Sequence, residues 1–205
     1  MHHQFIDNAL LYLQLIHFTL IKDQVILGID PGTVVMGYGL IAVNGKTTRM
    51  ITAGVMQLEK YSDHAVRLKK IFEKVSALII EYHPDELAIE APFFGKNVQS
   101  MLKLGRAQGV AIAAALHHQL PVIEYSPRKI KMAVTGKGGA SKEQVAAMLK
   151  QTMDINLTPK FLDATDALAV AVCHSLQNKK LQSTSKSYTG WKAFITDNPD
   201  KMAGK

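Results

Sequence analysis

The segment Val25-Ile-Leu-Gly-Ile-Asp30 constrains the fold of this chain more than any other: apolar and small residues run unbroken into a carboxylate. Such a run marks a buried central strand, and Pro31-Gly32 breaks it. Ending a buried strand in Asp30 costs free energy unless something pairs the charge, since a lone carboxylate is poorly tolerated away from water. The strand therefore implies a sheet and a partner for the acid at its carboxyl end.

The neighbouring segments supply that sheet. Gly37 to Val43 reads as a second strand, Asn44-Gly45 as a two-residue hairpin turn, and Arg49 to Leu58 as a third strand, giving an antiparallel meander. From Ser62 the pattern changes. Leu68, Ile71, Phe72, Val75, Leu78, Ile79 and Tyr82 recur at helical spacing up to Pro84. Leu87–Glu90 is a short strand, about 97–118 a second helix, and Pro121–Tyr125 another strand; strand, helix, strand demands parallel pairing. Ser141-x-x-Gln144 is a capping box before a helix over about 142–153, and Thr158-Pro159 opens a last helix through Ser175. The expected fold class is α/β, a five-stranded mixed sheet flanked by helices.

At 205 residues the chain holds one domain with extensions. We expect a loosely packed or disordered leader over 1–24, a catalytic domain over 25–178 and a basic flexible tail over 179–205. The formal net charge is +7, which favours a polyanionic partner. The tail alone carries six Lys and two Asp. A single cysteine, Cys173, excludes an internal disulfide framework and points to a reducing, cytoplasmic setting; on an apolar helix face it reads as an inert core thiol, and His117, His118 and His174 read as structural or surface residues. The most apolar early stretch, Ala9–Ile21, is interrupted by Gln14 and His17 and is shorter than the roughly 20 residues a spanning helix needs.

Placed on this frame, Asp30 and Glu90 both end strands at one rim, where ligands of open α/β sheets bind. Asp163 and Asp166 share a face near the start of the last helix. Singly, each acid has a plain structural reading: Asp163 suits a first helical turn, and Asp30 suits a turn acceptor. Four acids at one rim would repel one another and some would protonate. Divalent cations remove that conflict, and an oxygen-only donor set suits Mg²⁺, with Mn²⁺ as a substitute. Two such ions per site would support phosphodiester hydrolysis by a metal-activated water.

The ordered motifs Gly28-Ile-Asp-Pro-Gly-Thr33 with Gly37-Tyr-Gly39, Ile89-Glu-Ala-Pro-Phe-Phe94 with Lys96-Asn97, and Asp163-Ala-Thr-Asp-Ala-Leu-Ala169 resemble those of the RuvC family of Holliday junction resolvases. The resemblance spans about 25–178 and includes Leu102–Val110, similar to the family's interface helix. It implies a ribonuclease H-like fold, a homodimer, and a Mg²⁺-dependent endonuclease that nicks opposing strands of a four-way DNA junction in recombination and repair. It also implies a branch-migration helicase complex as partner and assigns catalysis and metal ligation to Asp30, Glu90, Asp163 and Asp166.

DNA contacts are expected around this centre. Phe93 and Phe94 are adjacent aromatics on the loop beyond Glu90, and base–aromatic stacking is worth about 1–3 kcal/mol per base; by resemblance Phe93 is the stacking wedge. Loop packing is the plainer reading of both. Lys96 lies within the matching motif. Residues 126–142 carry Arg128, Lys129, Lys131, Lys137 and Lys142 with no acid, a stretch expected to contact phosphates across a middle made mobile by Gly136, Gly138 and Gly139. By resemblance Lys131 and Lys142 sit near the scissile strand. Gly105, Gly109 and Ala113 form a small-residue stripe that suits either helix-on-sheet packing or a two-fold helix pair. Two other classes stay open at this point: an actin-like or sugar-kinase ATPase, for which 205 residues leave no second domain, and a non-catalytic junction-binding scaffold.

Overall fold

The computed structural model describes residues 23–92, 97–153 and 162–184, with the backbone alone in 162–163 and 179–184. Its strands are β1 (Gln24–Asp30), β2 (Val35–Asn44), β3 (Thr47–Gln57), β4 (Glu86–Glu90) and β5 (Val122–Tyr125). Its helices are α1 (His64–Tyr82), α2 (Val98–His117), α3 (Pro127–Thr135), α4 (Lys142–Met153) and α5 (Leu162–Thr184). The strands form one sheet in the order β3-β2-β1-β4-β5. β1 pairs antiparallel with β2 and parallel with β4, and β4 pairs parallel with β5, as the meander and the crossover require.

Alternation along the strands divides the core in two. Leu27, Ile29, Leu87 and Ile89 pack with Ile71, Val75 and Leu78 of α1 and with Ala107, Ala111 and Ala114 of α2. Ile26 and Ala88 point the other way, among Ile130 of α3, Val145 and Leu149 of α4, and Leu168 to Cys173 of α5. The period of two then decides where the acids go. Asp30 follows Ile26 and Gly28 on the α5 face, and Glu90 follows Glu86 and Ala88 on the same face. Ile29 pairs with Ile89 in register, so the two carboxylates stand side by side one step beyond.

The position of α5 follows from two glycines. Gly28 and Gly39 are paired across β1 and β2, and together they leave a bare patch on the sheet. A Cβ on Gly28 would run into the Ala167 carbonyl and lie 2.9 Å from Ala171 Cβ, while one on Gly39 would lie 2.8 Å from Leu168 Cδ2. Close approach of helix to sheet is what brings Asp166, one residue before Ala167, to the end of β1. Further along α5, buried His174 joins helix to sheet: its Nδ1 lies 2.8 Å from Tyr125 Oη and its Nε2 2.7 Å from Glu86 Oε2, which also accepts from Gln24 Nε2 at 2.6 Å. Cys173 is buried, and burial pushes its thiol up to about 11.

Three sequence expectations need correction. The hairpin turn is Gly45-Lys46, with Asn44 still paired to Thr47; Gly45 takes the positive φ of 54°. Within 126–142, for which no helix is expected from the sequence, lies helix α3, started by Ser126 accepting from Lys129 N–H and by Pro127 in its first turn, and ended by Gly136 at φ 74°. The last helix does not stop at Ser175 but continues to Thr184, beyond the expected start of the tail. The capping box is present as read: Gln144 N–H donates to Ser141 Oγ at 3.3 Å and Ser141 N–H to Gln144 Oε1 at 3.0 Å. Backbone contacts divide the chain into two units, the first ending at Ser175 and the second starting at Leu176. Among the described residues no helix is long and apolar enough to cross a membrane.

Candidate active site

At the carboxyl ends of β1 and β4 lies a cleft of about 240 Å³, lined by Asp30, Glu90, Lys131, Lys142 and Asp166, with Pro127, Ile130, Val145 and Ala169 as its apolar walls. Three of the four expected carboxylates thus line one cavity. Asp163 lies three residues before Asp166 on α5, but its side chain is outside the described residues. Phe93, Phe94 and Lys96 are also outside them. Among the expected basic residues, Lys131 and Lys142 face the cleft, whereas Lys137 lines a separate groove of about 270 Å³ with Thr135, Ala140, Gln144, Ala147 and Met148.

The charges in the cleft are coupled. Burial, reinforced by the Asp166 carboxylate and partly offset by Lys142 and Lys131, pushes the Glu90 carboxyl up to about 7. Lys142 Nζ lies 2.5 Å from Asp166 Oδ2 across 24 residues of chain. An oxygen-only set with excess negative charge, walled on one side by apolar residues, fits a hard divalent cation rather than zinc. Asp30, Glu90 and Asp166 would hold it. Among the described residues no three acidic, histidine or cysteine side chains are drawn together closely enough to hold a metal ion as they stand.

Two positioning contacts escaped the sequence reading. Gln108 of α2 is buried and donates from Nε2 to the Glu90 backbone carbonyl at 3.4 Å and to Glu124 Oε2 at 2.7 Å, bracing the end of β4. Arg67 of α1 donates to the Thr33 carbonyl at 2.8 Å and to the Tyr61 carbonyl at 2.6 Å, tying down the turn after Asp30. Both are polar residues on amphipathic helices, with no periodic signal to set them apart; only the strand-end topology shows what they reach.

Comparison with known proteins agrees with this geometry. Residues 26–174 match the family described as crossover junction endodeoxyribonuclease RuvC. A crossover junction endodeoxyribonuclease RuvC of Cytophaga hutchinsonii is 63% identical over 180 residues, 88% of each chain. One from Christiangramia forsetii is 60% identical over 181 residues, 88% of this chain and 94% of that one. Among solved structures, T. thermophilus RuvC in complex with Holliday junction substrate is 30% identical with a TM-score of 0.71, covering 77% of this chain and 96% of that one. The fold is ribonuclease H-like, and the chain belongs to the RuvC family of crossover junction endodeoxyribonucleases.

Proposed function

We propose that this chain hydrolyses phosphodiester bonds in four-way DNA junctions with Mg²⁺, or Mn²⁺ in its place, held two per site by Asp30, Glu90, Asp163 and Asp166. The observation that carries this reading is the meeting of Asp30, Glu90 and Asp166 in one cleft, from three separate elements. When bound, paired divalent cations activate the attacking water and offset charge on the leaving oxygen. The carboxylates supply the negative cradle for them, and Glu90, at about 7 on its own, ionises fully once positive charge lies beside it. Lys131 and Lys142 offer ammonium groups to the phosphate whose charge grows in the transition state. Ile130, Val145 and Ala169 exclude water from one wall and so strengthen these interactions.

The other DNA contacts of this reading are Phe93, Phe94, Lys96 and Lys137, the aromatics stacking on bases unpaired at the junction centre. A homodimer brings two such sites to opposing strands for symmetric nicking. Its support is the exposed face of α2. Among the described residues, Cβ atoms added at Gly105 or Gly109 would meet nothing beyond their own helical turn within 4 Å, so packing on the sheet does not explain these glycines. Val98, Leu102 and Leu116 on the same helix are 65%, 53% and 60% exposed. A branch-migration helicase complex is the partner that the family resemblance implies, and the lone buried thiol suits a reducing cytoplasm.

The test is cleavage of a synthetic four-way junction beside plain duplex and single-stranded DNA, with Mg²⁺ and with chelator. The wild-type chain should nick the junction only with metal, and Asp30→Asn should bind it without cutting. Binding without cleavage by the wild type at any metal concentration would turn the reading into a junction-binding scaffold, and ATP hydrolysis without nuclease activity into an ATPase.

A further inference from the structure

Lys142 opens α4, and its main chain is anchored. The reciprocal Ser141–Gln144 bonds hold the helix start, and Val145 and Leu149 are buried in the core beneath it. From this support the side chain crosses to α5 and bonds Asp166. The lysine side chain is 58% exposed and the aspartate 18%, so the ammonium covers the carboxylate on its more open side. An ammonium at hydrogen-bond distance uses the same oxygens that a divalent cation needs and repels that cation at close range.

The geometry points to Lys142 as an internal counterion that competes with a divalent cation for Asp166 and yields the carboxylate when a DNA phosphate draws the ammonium away. This rests on the reading of Asp166 as a cation ligand. Its consequence is a site that is weak for metal in the absence of DNA and strengthens as the phosphate backbone enters. The lysine then has two successive anionic partners, Asp166 first and a phosphate oxygen second. No proton is transferred in the exchange, because the lysine remains an ammonium throughout.

Lys131 supplies the control. It lines the same cleft and carries the same charge, and it acts on Glu90 through space, but the hydrogen bond to Asp166 belongs to Lys142. Mn²⁺ binding to the full-length, DNA-free protein is measured by electron paramagnetic resonance of the free ion. Wild type is compared with Lys142→Met, Lys131→Met, Lys142→Arg and Asp166→Asn. Loss of a charge-assisted bond to the ligand should tighten Mn²⁺ binding about tenfold in Lys142→Met. Lys131→Met, which removes only a nearby charge, should tighten it by about twofold to threefold, and Lys142→Arg, which keeps the charge and the bond, should match wild type. Equal tightening in the two methionine variants, or affinity in Lys142→Met within about twofold of wild type, would overturn the competition. A different failure is Mn²⁺ binding that Asp166→Asn leaves unaltered: it removes the ligand on which the inference depends, and the cation reading of that residue with it.

Discussion

Replacing Glu90 by Gln should make the protein more stable in the presence of chelator, and increasingly so as the pH rises. The Glu90 carboxyl sits at about 7 in the folded protein against an ordinary 4.5, chiefly through burial and secondly through the Asp166 charge. The sign follows from proton linkage: between those values the folded state holds a proton that the unfolded chain has released, so stability falls as pH rises through the window. The cost to wild type is about 1 kcal/mol at about pH 5.5 and about 3 kcal/mol at about pH 8. Gln has nearly the same shape and no charge to lose, so its advantage over wild type should grow by about 2 kcal/mol between the two conditions. Urea denaturation of both proteins in chelator, at each pH, reads this directly. Millimolar Mg²⁺ should shrink the advantage at the higher pH by stabilising wild type through binding. A stability difference that stays constant with pH, or narrows as pH rises, would refute the argument that Glu90 is an uncomfortable buried charge.

Two further outcomes test the scaffold. Gly28→Ala should lower the melting temperature through overpacking of about 1–3 kcal/mol, because its methyl would collide with the Ala167 carbonyl and with Ala171; unchanged melting would mean that α5 does not need its close seat on β1. Gly109→Glu places a charge on an exposed α2 position where, among the described residues beyond its own helical turn, nothing lies within 4 Å of an added Cβ. On the proposed homodimer, sedimentation should show dimers for wild type and monomers for this variant, with the fold intact, and a persistent dimer would move the interface elsewhere.

Much of this architecture could be read from local pattern. The run into Asp30, the helical spacing over Leu68–Tyr82 and the capping box at Ser141 are signals within a few residues, and these three elements lie within a few residues of their expected positions. The shared rim of Asp30 and Glu90 was legible for the same reason, since strand parity and the parallel crossover leave little freedom. Where lysines dominated the composition, the same grammar was overlooked: Ser126-Pro127 starts α3 as Thr158-Pro159 was expected to start the last helix. Gly28 and Gly39 looked like motif letters until their pairing across β1 and β2 showed the bare patch that seats α5. The Lys142–Asp166 bond was not legible at all. It joins the tips of two side chains on different helices, and no periodicity records how far a lysine reaches.

Divalent cations held between carboxylates of β1, β4 and α5 are the core of the proposed function. Its most direct measurement is anomalous scattering from crystals soaked in Mn²⁺. Density is expected in the cleft, about 2.1–2.3 Å from oxygens of Asp30 and of at least one of Glu90, Asp163 and Asp166. Saturating Mn²⁺ with no anomalous peak among these side chains, in crystals whose dissolved protein still cuts junctions, would contradict it.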